Sequence, residues 1–355
     1  MDFYEMTEFS SLYEVHKKAR RGKRNRNDVI RFEMNLSFEL ARLQKELRNG
    51  YYRPQKYDTF IIHDPKKRII HALKYRDRIV QHTLCDNLIE PYMELHLIYD
   101  NAASRIGKGT HFAMGRLEQF FRSHYRKHGT RGYILKYDIR KYYDSMDHRI
   151  LLSLFQSAFP EARVFNLIKQ YVESYHTEPG KGIPLGNQTS SWFALYYLDG
   201  LDRLIKEKLR IKYYSRYMDD GVLIHEDRDY LRECLRQMKQ YAEKERLLSF
   251  NDKTQIMPLA QGVDYLGFHF YLTDTGKVVR KLRNSNKRRM KRKLKRFRHA
   301  YRKGIMSEED VRRSLTSYIG HLSHGDTWHL RENILRHLIL SKETYESSGD
   351  MSTPE

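Results

Sequence analysis

The stretch Lys212–His225, KYYSRYMDDGVLIH, constrains this chain more than any other. Two aromatic and apolar runs flank Asp219, Asp220 and Gly221, which predicts two strands joined by a tight turn. Asp-Gly between such runs is a strong hairpin signal, and most hairpins of that kind carry no chemistry. The second carboxylate needs a further reason, because a turn uses one Asp or Asn and a Gly, and adjacent acids repel. Two acids at one hairpin tip become intelligible when a divalent cation sits between them and a third acid elsewhere. Mg2+ is a hard ion that takes oxygen ligands and shares them with substrate phosphates.

Residues 131–150, RGYILKYDIRKYYDSMDHRI, offer that third acid. Tyr133 to Ile139 reads as a buried strand with Asp138 near its end, and a carboxylate there must be paired or bind metal. Asp144 and Asp147 fall at a helix start, where acids in the first turn are explained by capping and the helix dipole.

The partner class follows from charge. The chain has 355 residues and a formal net charge of +21, which favours a polyanion, with nucleic acid the default. Its 27 tyrosines suit base and sugar stacking as well as packing. Two cysteines, Cys85 and Cys234, argue against a disulfide framework or a zinc site. No apolar run approaches the ~20 residues needed to span a bilayer, and the N-terminus lacks an apolar signal core. The expectation is a cytoplasmic protein with no membrane partner.

Along the chain, residues 1–50 read as helical, with a basic run KKARRGKRNR broken at Gly22 and an amphipathic helix over Val29–Leu47. The basic run fits a solvated face or a phosphate contact equally well. YDTFIIHDPKKRIIHAL predicts two strands around Asp64-Pro65, followed by a helix over Asp77–Glu90. Gly107-Lys108-Gly109-Thr110 lacks the spacing of a nucleotide-triphosphatase loop, but its amides could still face a phosphate at the entry to a helix near Thr110. Residues 151–175 read as helix. The loop EPGKGIPLGNQTSS then enters a second apolar helix, with Asn187 or Thr189 as its cap. Asp229–Leu247 is an amphipathic helix, and FNDKTQI and VDYLGFHFYL are two more strands. Residues 280–303 are mostly Arg and Lys, yet Met290, Leu294, Phe297 and Tyr301 recur at helical spacing, so a helix with cationic outer faces is expected. Ser307-Glu308-Glu309-Asp310 predicts a capped helix start.

In order, KYDIRKYYDSMDH, GIPLGNQTSS, RYMDDGVLIH, FNDKTQI and VDYLGF resemble the motifs of a reverse transcriptase over roughly Tyr51 to Leu340. The resemblance implies an α+β right-hand polymerase fold: an N-terminal extension and fingers over 1–130, a palm with an antiparallel sheet over 131–275 (fingers-side helices about 150–180), a basic helical thumb over 276–345, and a tail over 346–355. It implies RNA-directed DNA polymerisation, with dNTPs added to a primer 3′-hydroxyl. Asp138, Asp219, Asp220 and the Ile139 carbonyl would hold two Mg2+ ions, for which Mn2+ could substitute. Asp219 would bind most directly, with Asp220 supporting.

Further roles come by matching position. Tyr143 resembles the gate against a ribose 2′-hydroxyl. Lys66 and Arg68 resemble the residues that hold the incoming triphosphate, and Lys253 the lysine that protonates pyrophosphate. Leu185, Gly186 and Gln188 would lie under the nascent pair. VDYLGF resembles a primer grip, and Lys287, Arg288, Lys291, Arg292 and Lys295 would meet the nucleic-acid backbone. Partners implied are an RNA template, a DNA or RNA primer and dNTPs, with an accessory protein or a structured noncoding RNA as further candidates. GKGTH and Leu185-Gly186 point to the enzymes of diversity-generating retroelements, whereas Ser190-Ser191 departs from them and keeps phage-defence enzymes as the alternative. With no maturase-like or HNH region read after the thumb in this sequence, a full group II intron protein is not expected. A non-catalytic RNA-binding scaffold is the alternative of another class.

Overall fold

The computed structural model describes residues 1–63, 66–337 and 340–341. The expected turn at Asp64-Pro65 and the tail 346–355 lie outside the described residues. The fold is α+β with antiparallel sheets, and the chain divides into two compact units.

The first unit holds Met1–Leu117 and Tyr133–Ile256. It opens with helices Phe3–Met6, Phe9–Ala19, Asn27–Met34 and Leu36–Arg48. The single helix expected over Val29–Leu47 is therefore two, divided at Asn35, and its apolar stripe still buries Phe32, Leu40, Leu43 and Leu47. Strand β1 (Asp58–Ile62) pairs antiparallel with β2 (Arg68–Ala72). The helix that follows runs Tyr75–Leu84, widens into a π-helical stretch Cys85–Ile89, and continues as Glu90–His96, so it outlasts the Glu90 limit and passes Pro91. The wide turn lets the proline, which has no N–H to give, enter without ending the helix. Helix Thr110–His128 follows the glycine-rich entry. Two amides of that entry are spent inside the fold: Lys108 N donates to Arg105 O (3.2 Å) and Gly109 N to Ala102 O (2.8 Å). Those two amides are therefore not turned to a phosphate.

The central sheet has the order β4-β5-β3-β6, from β3 (Tyr133–Asp138), β4 (Tyr213–Tyr217), β5 (Asp220–His225) and β6 (Gln255–Pro258). Only Gln255 onward is strand in the FNDKTQI segment. Asn251–Thr254 is a turn, closed by Thr254 N donating to Asn251 O (2.9 Å), which corrects the longer strand. The sheet buries Leu135, Tyr137, Tyr214 and Leu223 against helices that include Gln188–Tyr197 and Arg228–Arg246. Residues 151–175 hold helices His148–Ala158 and Ala162–Glu173, parted around Pro160. Asp147 caps the first of these, accepting from the amides of Arg149 (2.9 Å) and Ile150 (3.1 Å) as expected. Asn187 occupies the cap position of the Gln188 helix without capping it, and Thr189 lies inside the helix.

The second unit holds Glu118–Gly132 and the chain from Met257. VDYLGFHFYL is not one strand but a hairpin, β7 (Val263–Tyr265) and β8 (Phe268–Leu272), to which β9 (Val278–Leu282) adds a third strand. The basic helix begins later than expected, at Asn284, and runs to Arg302. Met290 and Phe297 are buried, Leu294 and Tyr301 half-buried. Helix Glu308–Leu322 starts at the Ser307–Asp310 capping box. Both cysteines are free and buried. Among the described residues no helix is long and apolar enough to cross a membrane.

Candidate active site

Strand register gathers the acids. Asp138 ends β3 directly opposite Asp220, the first residue of β5, and Asp219 stands in the turn just before it. The Ile139 amide donates to the Asp219 carbonyl (3.3 Å). The Asp138 and Asp219 carboxylates are close enough to share a hydrogen bond. Burial pushes Asp219 up to about 6, with the Asp138 charge adding to it. Burial pushes Asp220 up to about 7, against the pull of Lys136. Lys136 Nζ lies 3.6 Å from Asp220 Oδ2, while Asp220 Oδ1 is buried without a hydrogen-bond partner. An orphaned buried carboxylate oxygen beside two more carboxylates is a hard, all-oxygen donor set that fits a divalent cation. The signal for Lys136 lay in the sequence: it sits two residues before Asp138, on the same face of β3.

The hairpin differs from its sequence reading in one respect. Tyr217 pairs with Asp220, so the two-residue turn is Met218-Asp219, and Asp220 and Gly221 belong to the strand. Met218 takes the left-handed conformation (φ 55°) that such turns require. Gly221 serves packing instead, since a Cβ there would overlap the Tyr137 ring.

Arg216, which the motif reading passed over, holds this turn from beneath. It is fully buried, as is its partner Asp202. Its Nε donates to Asp202 Oδ1 (2.8 Å) and Nη2 to Asp202 Oδ2 (2.6 Å). Nη1 donates to the Met218 carbonyl (2.8 Å), and Nη2 also to the Leu195 carbonyl (2.9 Å). Tyr214 Oη donates to Asp202 Oδ1 (2.5 Å) and is bonded to Tyr137 Oη (2.7 Å).

The remaining predicted residues lie in several places. Tyr143 is beside the acids: its hydroxyl lies 3.7 Å from Met218 Sδ, and burial, then Asp219, pushes it up to about 12. Lys253 is exposed on a turn whose Asn251 amide donates to the Asp138 carbonyl (2.7 Å). Leu185 and Gly186 dock on β2. The His71 amide donates to Leu185 O (3.1 Å), Asn187 Nδ2 donates to His71 O (3.0 Å), and a Cβ on Gly186 (φ 107°) would meet Ile70. Arg68, Lys141, Ile183 and Leu185 line a cavity of about 680 Å3. Lys67 lines it too, while Lys66 is exposed on the preceding loop. Gln188 is tied to the neighbouring helix through Nε2 to Asp86 Oδ1 (2.7 Å), and its Oε1 is buried and unpartnered. Separately, in the second unit, Lys287, Arg288, Lys291, Arg292 and Lys295 are exposed along the basic helix.

Three acids gathered at one end of a central antiparallel sheet make an oxygen-rich site of the kind used in metal-assisted phosphoryl transfer. The chain belongs to the reverse transcriptase (RNA-dependent DNA polymerase) family, which it matches over residues 60–270. The family's chemistry depends on a divalent metal. The chain is similar to protein YkfC of Escherichia coli (strain K12), 23% identical over 184 residues, 50% of this chain and 48% of that protein. Among solved structures it is similar to telomerase from Candida albicans (12% identity, TM-score 0.48, 69% of this chain and 51% of that one). It is likewise similar to a truncated apo telomerase from Candida tropicalis (12% identity, TM-score 0.47, 66% and 58%). The chain spans about half the length of the first of these relatives.

Proposed function

We propose that this protein extends a primer 3′-hydroxyl with dNTPs on an RNA template, using Asp138, Asp219, Asp220 and the Ile139 carbonyl to hold two Mg2+ ions, with Mn2+ as a substitute. The observation that carries this reading is the register that sets Asp138 against Asp220, with Asp219 beside them and one Asp220 oxygen left unpartnered. Bound Mg2+ would polarise the attacking hydroxyl and neutralise the leaving pyrophosphate. The protein's own groups then position the substrates. Arg68 and Lys66 neutralise the triphosphate, Tyr143 closes the space beside the sugar, and Lys253, on its turn near Asp138, delivers a proton to pyrophosphate. Primed RNA incubated with dNTPs and Mg2+ should be extended. Asp219→Asn with Asp220→Asn should abolish extension, and unchanged activity in that variant overturns the reading.

We further infer that the enzyme serves a diversity-generating retroelement. Leu185 supports this: its apolar side chain lines the cavity beside Arg68, where an amide could otherwise read the nascent pair, so discrimination rests on shape. Ser190-Ser191 favours a phage-defence enzyme instead. A variable-repeat target gene beside the coding sequence supports the first reading, and a defence cluster the second.

A further inference from the structure

Buried charge is costly, and apolar side chains of similar volume often serve a core as well or better. The Arg216–Asp202 pair therefore needs a reason beyond packing. Its geometry supplies one. The guanidinium fork grips Asp202, and one remaining arm reaches the carbonyl of Met218, the residue that turns the chain into Asp219. Another reaches the carbonyl of Leu195, on the helix that begins at Gln188. Met218 is a non-glycine residue in left-handed backbone, a state that persists only where its surroundings over-determine it. Asp202 is itself fixed by Tyr214, which is bonded to Tyr137, whose ring fills the space above Gly221. Asp202 thus reaches the turn through Arg216, and β3, which carries Asp138, through Tyr214 and Tyr137.

We propose that Arg216, anchored by Asp202, is a positioning residue that fixes the height of the Met218-Asp219 turn, and so of the Asp219 carboxylate, relative to the helix beginning at Gln188. The proposal rests on the reading of the acids as a metal site. No shorter or single-point cation can replace Arg216. Lysine keeps the charge but lacks the planar fork needed to hold Asp202, Met218 O and Leu195 O together.

Arg216→Lys is the test, read by Mn2+ titration with electron paramagnetic resonance, by thermal melting and by single-nucleotide extension. Asp219→Asn with Asp220→Asn identifies the Mn2+ signal that belongs to this site. The expected result is folded protein whose Mn2+ affinity at the site falls about tenfold or more. Its kcat should fall by about 100-fold, the scale of a misplaced catalytic group, with the dNTP KM within about threefold. A lowered melting temperature with unchanged Mn2+ affinity and unchanged kcat per folded molecule overturns the proposal, because a merely structural pair would behave that way. Where Arg216→Lys does not fold, Arg216→Met with Asp202→Asn removes both charges together and keeps an acceptor for Tyr214, and the same outcomes decide. Should the wild type bind Mn2+ but extend no primer, the polymerase reading falls while the Mn2+ comparison still decides the positioning role.

Discussion

Asp220 turns one carboxylate oxygen towards Lys136 and leaves the other buried and unpartnered, and Asp219 shares its surroundings with Asp138. The consequence is a pH dependence opposite to that of ordinary surface acids. Asp219 at about 6 and Asp220 at about 7 hold protons in the folded protein that the unfolded chain, near the usual carboxylate value, has already released. Between about pH 4 and pH 7 the folded state binds more protons, so their contribution to the stability of the metal-free protein falls as pH rises through 6 and 7. At pH 8 both acids are charged and costly. Asp219→Asn with Asp220→Asn should then raise the melting temperature in EDTA, by a stability gain of several kcal/mol. At pH 4, where the wild-type acids are already neutral, the gain should vanish. Calorimetry at the two pH values checks it, and an equal gain at both would show that the acids are not proton-loaded. That Asp138 lies with Asp219 and Asp220 was legible from sequence, because two acids at one turn called for a third. The turn was not. Asp-Gly matched a common turn pair, but the tertiary demand for space over Tyr137 placed Gly221 in the strand and gave Met218 the left-handed position.

At the scale of elements, periodicity located most helices and strands, because each buries a regular apolar face. It missed features that depend on distant partners. Asn187 looked like a helix cap, yet its amide crosses to the His71 carbonyl on β2, and the His71 amide returns to Leu185. The loop over Leu185–Asn187 is thereby an extra edge to the β1–β2 hairpin, and nothing local in its sequence encodes that. β9 was hidden at the front of a basic run whose charge dominated the reading. The helix past Pro91 continued because a π-helical stretch absorbed a residue that ordinarily stops one. The docked loop gives a prediction. Asn187→Ala should cost about 1 kcal/mol of stability, the usual net worth of one hydrogen bond. By freeing the cavity wall formed by Leu185 beside Arg68, it should raise the dNTP KM more than it lowers kcat. Steady-state kinetics with a saturating primed template separates the two, and a fall in kcat at constant KM would place the effect at the acids instead.

The whole molecule carries a net charge of +21, and a prominent part of it stands in the helix Asn284–Arg302. That helix buries Met290 and Phe297 within its own unit, so its cationic faces are held in place and not dispersed as in a disordered basic tail. Lys287, Lys291 and Lys295 follow one another at four-residue intervals, on one side of the helix, and all three are exposed. Charges in such a row meet successive phosphates and displace condensed counterions, each phosphate neutralised adding roughly 0.7 to 0.9 to the slope of log affinity against log salt. Replacing the three lysines with alanine should therefore weaken binding of a primed RNA template and flatten that slope by about 2 to 3. Melting temperature should hold, since all three side chains are exposed. Filter binding between 50 and 300 mM KCl, about the range where such slopes are measured, gives both numbers at once. A weaker affinity with an unchanged slope would mean that the helix acts through shape and that the neutralising charge lies elsewhere on the chain.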